Sequence, residues 1–185
     1  NIIGKVANGI ADDMLSTTIM ATKSPVIFAP AMNSNMYENP IVQDNIKRLK
    51  NLNYIFVEPA YGRLACGDEG RGKLADMEDV IHAILLNTAY PKDLKGLNIL
   101  VTAGPTQENI DPVRFITNHS SGKMGYAIAR AALYRGANVT LVTGPTSIKH
   151  IDGVKTIQVT SAQEMYEKVM EHYIASSIIV KAAAV

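Results

Sequence analysis

The chain has a single cysteine, Cys66, within a stretch rich in glycine and charge, RLACGDEGRGKLAD, from Arg63 to Asp76. The basic side chains of this stretch would favour the reactive thiolate, whereas its acidic side chains would oppose it. The glycines leave the backbone free to move, so the stretch could form a flap that closes over a substrate. Cys66 would then be an acid or a nucleophile; the alternative is a passive cysteine in a turn.

A second candidate lies in the segment PAMNSNMYENP, from Pro30 to Pro40, which directly follows a short apolar run. Asn33 could donate its amide hydrogens to the carboxylate of a ligand, or it could bond the backbone as a turn residue. Met36 is of a residue type that packs more often than it binds. Composition alone leaves both interpretations of Asn33 open.

Two polar segments in the second half of the chain could bind phosphate. AGPTQENIDPVRF, residues 103–115, places a glycine turn after a predicted strand, although it lacks the GxGxxG pattern. NHSSGKMG, residues 118–125, leads into a predicted helix, whose free amides and dipole attract anions. The residues that could hold the anion there are Ser120, Ser121, Gly122 and Lys123. This is not a Walker A loop, and the alternative is an elaborate helix cap.

Short apolar runs alternate with amphipathic segments in the first half of the chain. The apolar spacing predicts one helix from residue 2 to about residue 15. Its inner face would be formed by Ile3, Val6, Ile10 and Met14. Asn39 with the proline after it, and Asp76, are typical of helix starts. The runs at 25–29 and 54–57 predict buried strands.

The second half repeats the alternation, with predicted strands at 98–102, 138–142 and 177–180. A helix is predicted over 122–135, and Ser161 with Glu164 predicts the start of another through a capping box. The inner face of the first of these helices would be formed by Met124, Ile128 and Ala131. Both halves are therefore predicted to be α/β, with a parallel sheet covered on both faces and ligands beyond the carboxyl ends of the strands.

Residues 87–97 (NTAYPKDLKGL) interrupt the pattern with a proline, a glycine and three charges, which is typical of a linker. We expect one domain over 1–90, a linker over 91–97 and a second domain over 98–185. The chain begins at Asn1 and ends at AAAV without a cap or tail. Both ends look cut, so we expect an internal piece of a longer polypeptide.

The overall charge is close to balanced, with 18 Lys and Arg against 17 Asp and Glu and a formal net charge of +1. This gives no general attraction to nucleic acid or to an anionic membrane. No apolar run approaches the roughly 20 residues that span a bilayer. One cysteine excludes an intrachain disulfide and a zinc site of several thiolates, and no metal-ligand cluster is predicted. The cytoplasm is the expected compartment.

Taken together, the motifs resemble one enzyme family closely. PAMNSNMY is similar to the PxMNxxMW signature of phosphopantothenoylcysteine decarboxylases, and ACGDEGRGKLAD resembles their substrate clamp. ANGIADDMLS resembles the preceding segment of these enzymes, and LVTAGPTQENIDPVRFITNHSSGKMG is similar to the start of phosphopantothenate–cysteine ligases. The order of the two parts matches the bifunctional bacterial coenzyme A biosynthesis flavoproteins. The resemblance covers essentially the whole chain and implies a flavodoxin-like first domain and a Rossmann-like second one.

This resemblance implies two reactions. The ligase activates 4′-phosphopantothenate with CTP and Mg²⁺ to an acyl-cytidylate and couples cysteine to it. The decarboxylase then removes the cysteine carboxylate to give 4′-phosphopantetheine, using FMN as the electron sink that a plain cysteine carboxylate lacks. The implied partners are small-molecule substrates, without nucleic acid or membrane. Homo-oligomers are implied too, with trimers of the decarboxylase and dimers of the ligase.

The resemblance also implies roles for individual residues. Cys66 would protonate the enethiolate left by decarboxylation, Asn33 would hold the substrate carboxylate, and Asn118 would contact the acyl-cytidylate. Met36 would line the flavin or substrate pocket, and Asn1 would belong to a flavin-contacting loop. The residues that would hold phosphate are Ser120, Ser121, Gly122 and Lys123. The strand-end segment that would contact the nucleotide contains Lys181, Ala182 and Ala183.

The chain departs from the family pattern in a few places. Tyr37 stands where the signature has tryptophan, which removes an indole donor but keeps a flat aromatic ring. The family's catalytic histidine would precede Asn1, and the lysine-rich loop of the ligase would follow Val185. We therefore expect the 185-residue chain alone to be inactive in both reactions.

Two alternatives come from other functional classes. A non-catalytic flavoprotein regulator of the Hal3 type would share the decarboxylase fold but would not need NHSSGKMG. An NAD-dependent oxidoreductase would use a Rossmann-like half, but the GxGxxG pattern is missing. Flavin absorbance separates the first alternative and the leading interpretation from the second. Release of pyrophosphate from CTP, dependent on phosphopantothenate, separates the leading interpretation from the regulator.

Overall fold

The computed structural model describes residues 1–63, 67 and 69–185, and its chain divides into two compact units, Asn1–Thr88 and Ala89–Val185. The helices and strands of the first unit are α1 Ile2–Ala7, α2 Met14–Ala21, β1 Ile27–Phe28, α3 Ser34–Tyr37, α4 Pro40–Asn51, β2 Ile55–Phe56, β3 Ala60–Arg63, β4 Glu69–Lys73 and α5 Met77–Ile84. A π-helical turn, Leu85–Ala89, follows α5.

The first unit combines a parallel pair of strands with an antiparallel hairpin. Strands β1 and β2 run parallel, with Phe28 opposite Phe56 and their rings stacked at 5.0 Å. Strands β3 and β4 pair antiparallel. The core consists of apolar side chains from α1, α3 and α4, which are Ile3, Val6, Ala7, Tyr37, Ile46 and Leu49. The carboxyl ends of β1 and β2 therefore lead into the loops where chemistry was expected.

The prediction of one helix over residues 2–15 is wrong. Helix α1 ends at Ala7, and Gly9 has a positive φ of 70°, which turns the chain. A second helix, α2, then begins, because the side chain of Asp13 accepts the Ser16 N–H in a capping box. Lys5 holds Asp13 from α1 at 2.8 Å. Ile10 and Met14, predicted to face inward, are exposed for this reason.

The second unit contains a four-stranded parallel sheet. Its elements are β5 Asn98–Ala103, β6 Gln107–Asn109, β7 Phe115–Thr117, α6 Lys123–Tyr134, β8 Asn138–Thr143, β9 Lys155–Gln158, α7 Ala162–Tyr173 and β10 Ile178–Lys181. The sheet order is β10-β5-β8-β9, and β6 and β7 form a separate hairpin. The predicted α/β class with parallel strands is confirmed, whereas the hairpins and β9 were not predicted.

All four strands run parallel, and the order in which they are added switches sides between β5 and β10. The connection through α6 moves from β5 to β8, and the connection through α7 returns from β9 to β10 on the other side of β5. Because such crossovers are right-handed, α6 and α7 cover opposite faces. In this topology a ligand binds beyond the carboxyl ends of the two strands at this switch point, β5 and β10.

The inner face of α6 differs from the predicted one. Met124 is 71% exposed, whereas Tyr126 and Ala129 are buried. A Cβ atom on Gly125 would lie 2.5 Å from the Cβ of Ala103, so the backbone of the helix packs closely against β5 at a residue without a side chain. The prediction placed Met124 inward, whereas the contact with β5 is made by its neighbour Gly125, where the close approach leaves no room for a side chain.

Candidate functional site

In the first unit, the loop after β1 places Asn33 at the N-terminus of α3. The Asn33 Oδ1 atom accepts the N–H of Asn35 at 2.9 Å, so the turn role considered for this residue is present. The bond also fixes the plane of the side-chain amide, and it leaves the binding role open because a ligand carboxylate would need the amide nitrogen instead. Met36, in the single turn of α3, exposes 54% of its surface.

The hairpin β3–β4 lies against this loop. The backbone N–H of Met32 donates to the carbonyl oxygen of Gly72 at 2.9 Å. Gly72 has a φ of 143°, and a Cβ atom there would lie 2.1 Å from the carbonyl oxygen of Met32. Only glycine allows this contact, so the close approach of the hairpin to the Asn33 loop depends on residue 72.

Cys66 lies outside the described residues, in the sequence between the last residue of β3 and the first residue of β4. Those two residues, Arg63 and Glu69, are paired in the antiparallel register. The glycine-rich stretch was predicted as a flap, and the described part of it is a paired hairpin. The role of Cys66 stays a prediction.

Tyr37, the last residue of α3, is bonded at three points. Its hydroxyl donates to Glu58 Oε2 at 2.6 Å, its N–H donates to the carbonyl oxygen of Asn33 at 3.0 Å, and its carbonyl accepts from Gln43 Nε2 at 2.5 Å. Burial, followed by the bond to Glu58, raises the pKa of Tyr37 to about 12. The phenol therefore stays protonated, and remains a donor, throughout the neutral range.

In the second unit, hydrogen bonds join the end of β10 to the end of β5 and the loop after it. The Thr102 hydroxyl is buried and accepts the N–H groups of Ala182 and Ala183, each at 3.2 Å. Beyond them, the Ala184 N–H donates to the carbonyl oxygen of Gly104 at 2.9 Å. The backbone of the predicted nucleotide segment is therefore held rigidly against β5.

The Asn118 side chain reaches the same place. Its Nδ2 atom donates to the carbonyl oxygen of Ala184 at 3.2 Å, although the two residues are 66 positions apart in sequence. Lys181 is the last residue of β10 and is exposed. The structure thus brings Asn118 together with the strand-end segment, and the roles of both at a nucleotide stay a prediction.

Gly122 forms the N-cap of α6 in a left-handed conformation, with φ 76°. A Cβ atom there would lie 2.8 Å from Thr146 Cγ2 and 3.3 Å from the Gly104 Cα. Ser121 and Lys123 are exposed, and the hydroxyl of Ser120 accepts the Gly122 N–H at 3.4 Å. The predicted phosphate residues therefore meet the glycine turn after β5 at the N-terminus of α6.

Sequence reasoning missed a cavity of about 340 Å³ beyond the ends of β8 and β9. Its lining includes Thr143, Thr146 and Tyr126, and the Thr146 hydroxyl donates to the Tyr126 hydroxyl at 3.3 Å. The signal in the sequence was Gly144-Pro145 directly after a predicted strand. Ligands bind beyond the carboxyl ends of parallel strands, and this holds for β8 as it does for β5.

Asn1 is the exposed N-cap residue of α1, and its carbonyl accepts the Lys5 N–H at 3.1 Å.

No group of three or more His, Cys, Asp or Glu side chains within residues 1–63, 67 and 69–185 could hold a metal ion. Across the same residues, every helix is too short or too polar to span a bilayer.

Two family models match the chain, one after the other. Residues 1–89 match the family described as Flavoprotein, and residues 94–185 match the family described as DNA/pantothenate metabolism flavoprotein C-terminal domain. The chain is thus a two-part α/β flavoprotein of the class that these two models define.

The curated relatives identify the family more closely. The coenzyme A biosynthesis bifunctional protein CoaBC of Bacillus subtilis is 50% identical over all of this chain, which matches 46% of the length of that protein. The CoaBC protein of Borreliella burgdorferi is 48% identical over all of the chain and 47% of its own length. The chain belongs to the CoaBC family, and it spans about half the length of the curated relatives it matches.

Among solved structures, the chain is similar to the crystal structure of the C-terminal domain of a coenzyme A biosynthesis bifunctional protein CoaBC. The identity is 58%, over 50% of this chain and 47% of that chain, with a TM-score of 0.48.

Proposed function

We propose that this chain contributes to two consecutive steps of coenzyme A biosynthesis, a CTP-dependent ligation and an FMN-dependent decarboxylation. The second unit would couple 4′-phosphopantothenate to cysteine, and the first would decarboxylate the 4′-phosphopantothenoylcysteine that results. The observation that carries this proposal is the bond from Asn118 to the Ala184 carbonyl beside Gly104, which joins three separate predicted segments at one edge of the sheet.

For the ligase step, the amides at the start of α6 and the exposed Lys123 would hold a phosphate of CTP. Asn118 and the backbone of residues 181–183 would contact the nucleotide of the acyl-cytidylate. Mg²⁺ would be held by the triphosphate and water, because the described residues contain no cluster of side-chain ligands for it.

For the decarboxylase step, the Asn33 amide nitrogen would donate to the substrate carboxylate. FMN, when bound, supplies the oxidation that makes loss of carbon dioxide possible. The exposed Met36 beside Asn33 offers an apolar surface that fits a flat ring, and Asn1 would contribute to the same pocket. Cys66 would donate the proton to the substrate carbon after carbon dioxide leaves. We place the whole protein in the cytoplasm, as trimers of the first unit and dimers of the second.

A chimera tests the proposed function. In it, this chain replaces the matching 46% of the Bacillus subtilis relative, to which it is 50% identical. We expect flavin absorbance, pyrophosphate release from CTP that depends on phosphopantothenate, and carbon dioxide release from phosphopantothenoylcysteine. Flavin without either turnover would favour a non-catalytic regulator of the Hal3 type, and absence of all three would contradict the proposal.

We predict that Asn118→Ala lowers the ligase kcat/KM of the chimera roughly 10- to 100-fold, because it removes a donor at the nucleotide site. Asn138→Ala is the matched control: Asn138 donates to Asn98 at the opposite, amino end of the strands. The measurement is pyrophosphate release at varied CTP. Equal effects of both variants would show that Asn118 acts only through folding.

We predict that Cys66→Ser stalls the decarboxylase after loss of carbon dioxide, because serine is a much weaker acid than a thiol. Oxidised product and reduced flavin should then accumulate, as followed by mass spectrometry and absorbance under anaerobic conditions. Cys66→Ala should behave in the same way. Normal turnover by either variant would contradict the assignment of Cys66 as the proton donor.

A further inference from the structure

We propose that Tyr37 is a positioning residue for Asn33, and that Glu58 holds it in place. The inference rests on the proposed decarboxylase function. The geometry that carries it is a continuous set of bonds from the Glu58 carboxylate, through the Tyr37 hydroxyl and backbone, to the carbonyl of Asn33.

Helix α3 is too short to hold its own orientation. It has four residues, and a single turn of helix is unstable in isolation. Its direction therefore depends on bonds at its two ends. Asn33 caps the start, and Tyr37 ends the helix with only 6% of its surface exposed, packed in the core cluster with Ile46 and Leu49.

Two neighbouring elements hold the Tyr37 end. Glu58, which follows β2, accepts the phenol proton at 2.6 Å, and Gln43 on α4 donates to the Tyr37 carbonyl at 2.5 Å. The Tyr37 N–H in turn bonds the carbonyl of Asn33. A change in the Tyr37 side chain would therefore reorient Asn33, whose amide nitrogen would donate to the substrate carboxylate.

Glu58 is itself fixed by charge. Lys50 Nζ lies 2.6 Å from Glu58 Oε1, so the lysine and the phenol occupy different carboxylate oxygens. The bonds from Lys50 and Tyr37, with the charge of Arg71 on β4, hold the pKa of Glu58 below its ordinary value. The carboxylate is consequently ionised wherever the phenol is protonated across the neutral range.

The shifted pKa values of Tyr37 and Glu58 set the pH range over which the bond between them stabilises the fold. The pKa of Tyr37 is raised to about 12, so its contribution to stability is complete below its ordinary value near 10 and is lost as pH rises through 12. The pKa of Glu58 is lowered, so its contribution is present above its ordinary value of 4.5 and is lost as pH falls through the lowered one.

The test removes each end of the bond in the chimera. Tyr37→Phe and Glu58→Ala should each lower the decarboxylase kcat about 10-fold, with KM and flavin content within about twofold of wild type. Glu58→Gln keeps an acceptor oxygen and should recover kcat to within about threefold. Because the two residues act through one bond, the double variant Tyr37→Phe/Glu58→Ala should be no slower than either single variant.

Tyr54→Phe is the matched control, since Tyr54 packs against the same core cluster and its ring contacts Phe28. It should leave kcat within about twofold. A second readout uses the chain itself: ultraviolet titration should find one tyrosine that ionises near pH 12 in the wild type and is absent in Tyr37→Phe.

Three outcomes would overturn the positioning role. They are normal kcat in both single variants, single effects that multiply in the double variant, or a Tyr54→Phe loss as large as that of Tyr37→Phe. A wild-type chimera that binds flavin but releases no carbon dioxide would instead overturn the proposed decarboxylase function. A titration without the high-pH tyrosine would overturn the pair itself.

Discussion

Replacing Gly72 by alanine is expected to lower the decarboxylase kcat/KM of the chimera about 100-fold, because misplacement of a site by about 1 Å has an effect of that order. The added Cβ atom would lie 2.1 Å from the Met32 carbonyl oxygen, in a backbone conformation with φ 143°. The hairpin must move away, and the Met32–Gly72 bond of 2.9 Å must break.

Gly62→Ala is the control for this prediction. Gly62 belongs to β3 of the same hairpin, but among the described residues a Cβ atom there would meet only the Lys73 side chain, at 3.4 Å. This variant should keep its kcat/KM within about twofold, although it too replaces a glycine of the hairpin by alanine. Steady-state assays of carbon dioxide release would compare the two. Similar activities in both would contradict the idea that the hairpin must lie against the Asn33 loop.

The second large effect is expected at Gly122. Gly122→Ala should raise the KM for CTP in the ligase reaction roughly 10- to 100-fold, since a hydrogen bond to a charged group contributes about 1.5–3 kcal/mol. The new Cβ atom would lie 2.8 Å from Thr146 Cγ2 and 3.3 Å from the Gly104 Cα. The start of α6 would shift, and its amides would no longer converge on the phosphate.

Gly136→Ala is the control for the backbone strain that alanine introduces at a positive φ. Gly136 also has a positive φ, 90°, and a Cβ atom there would lie 3.2 Å from the Lys92 Cβ, at the other end of α6. Both variants should lose a similar amount of thermal stability, because alanine is disfavoured in both left-handed positions. Only Gly122→Ala should change the KM for CTP. If Gly136→Ala raised the KM for CTP as much as Gly122→Ala does, the effect would come from lost stability and not from lost phosphate binding.

Local signals in the sequence predicted the fold class and several element boundaries correctly. Asn39 caps α4 through its Oδ1 atom, and Ser161 with Glu164 forms the predicted capping box of α7. These signals succeed because a cap depends only on residues a few positions apart. The alternation of strands and helices likewise required no knowledge of tertiary contacts.

The failures occurred where distant residues decide the outcome. The break between α1 and α2 is stabilised by Lys5 reaching Asp13, and periodicity alone does not detect such a bond. The inner face of α6 is determined by the space available next to Ala103, which favours Gly125 over a larger side chain. A stronger weight on Gly9 as a helix terminator would have corrected the first error.

The residues of the candidate sites show the same difference between local signals and bonds to residues distant in sequence. Asn33, Asn118 and the phosphate residues stood out because they follow predicted strands or precede a predicted helix. Thr102 and Glu58 did not, because their importance comes from bonds to Ala182, 80 positions away, and to Tyr37, 21 positions away. Such supporting residues carry no motif of their own and emerge only from the three-dimensional arrangement.

The methyl group of Thr146 has a consequence for how related sequences can diverge. Its Cγ2 atom would lie 2.8 Å from a Cβ added at either Gly104 or Gly122. One side chain therefore restricts two positions that are 18 residues apart in the numbering. Among homologues, residues larger than glycine at these two positions should be found only alongside a smaller residue than threonine at 146, so the three positions are expected to covary.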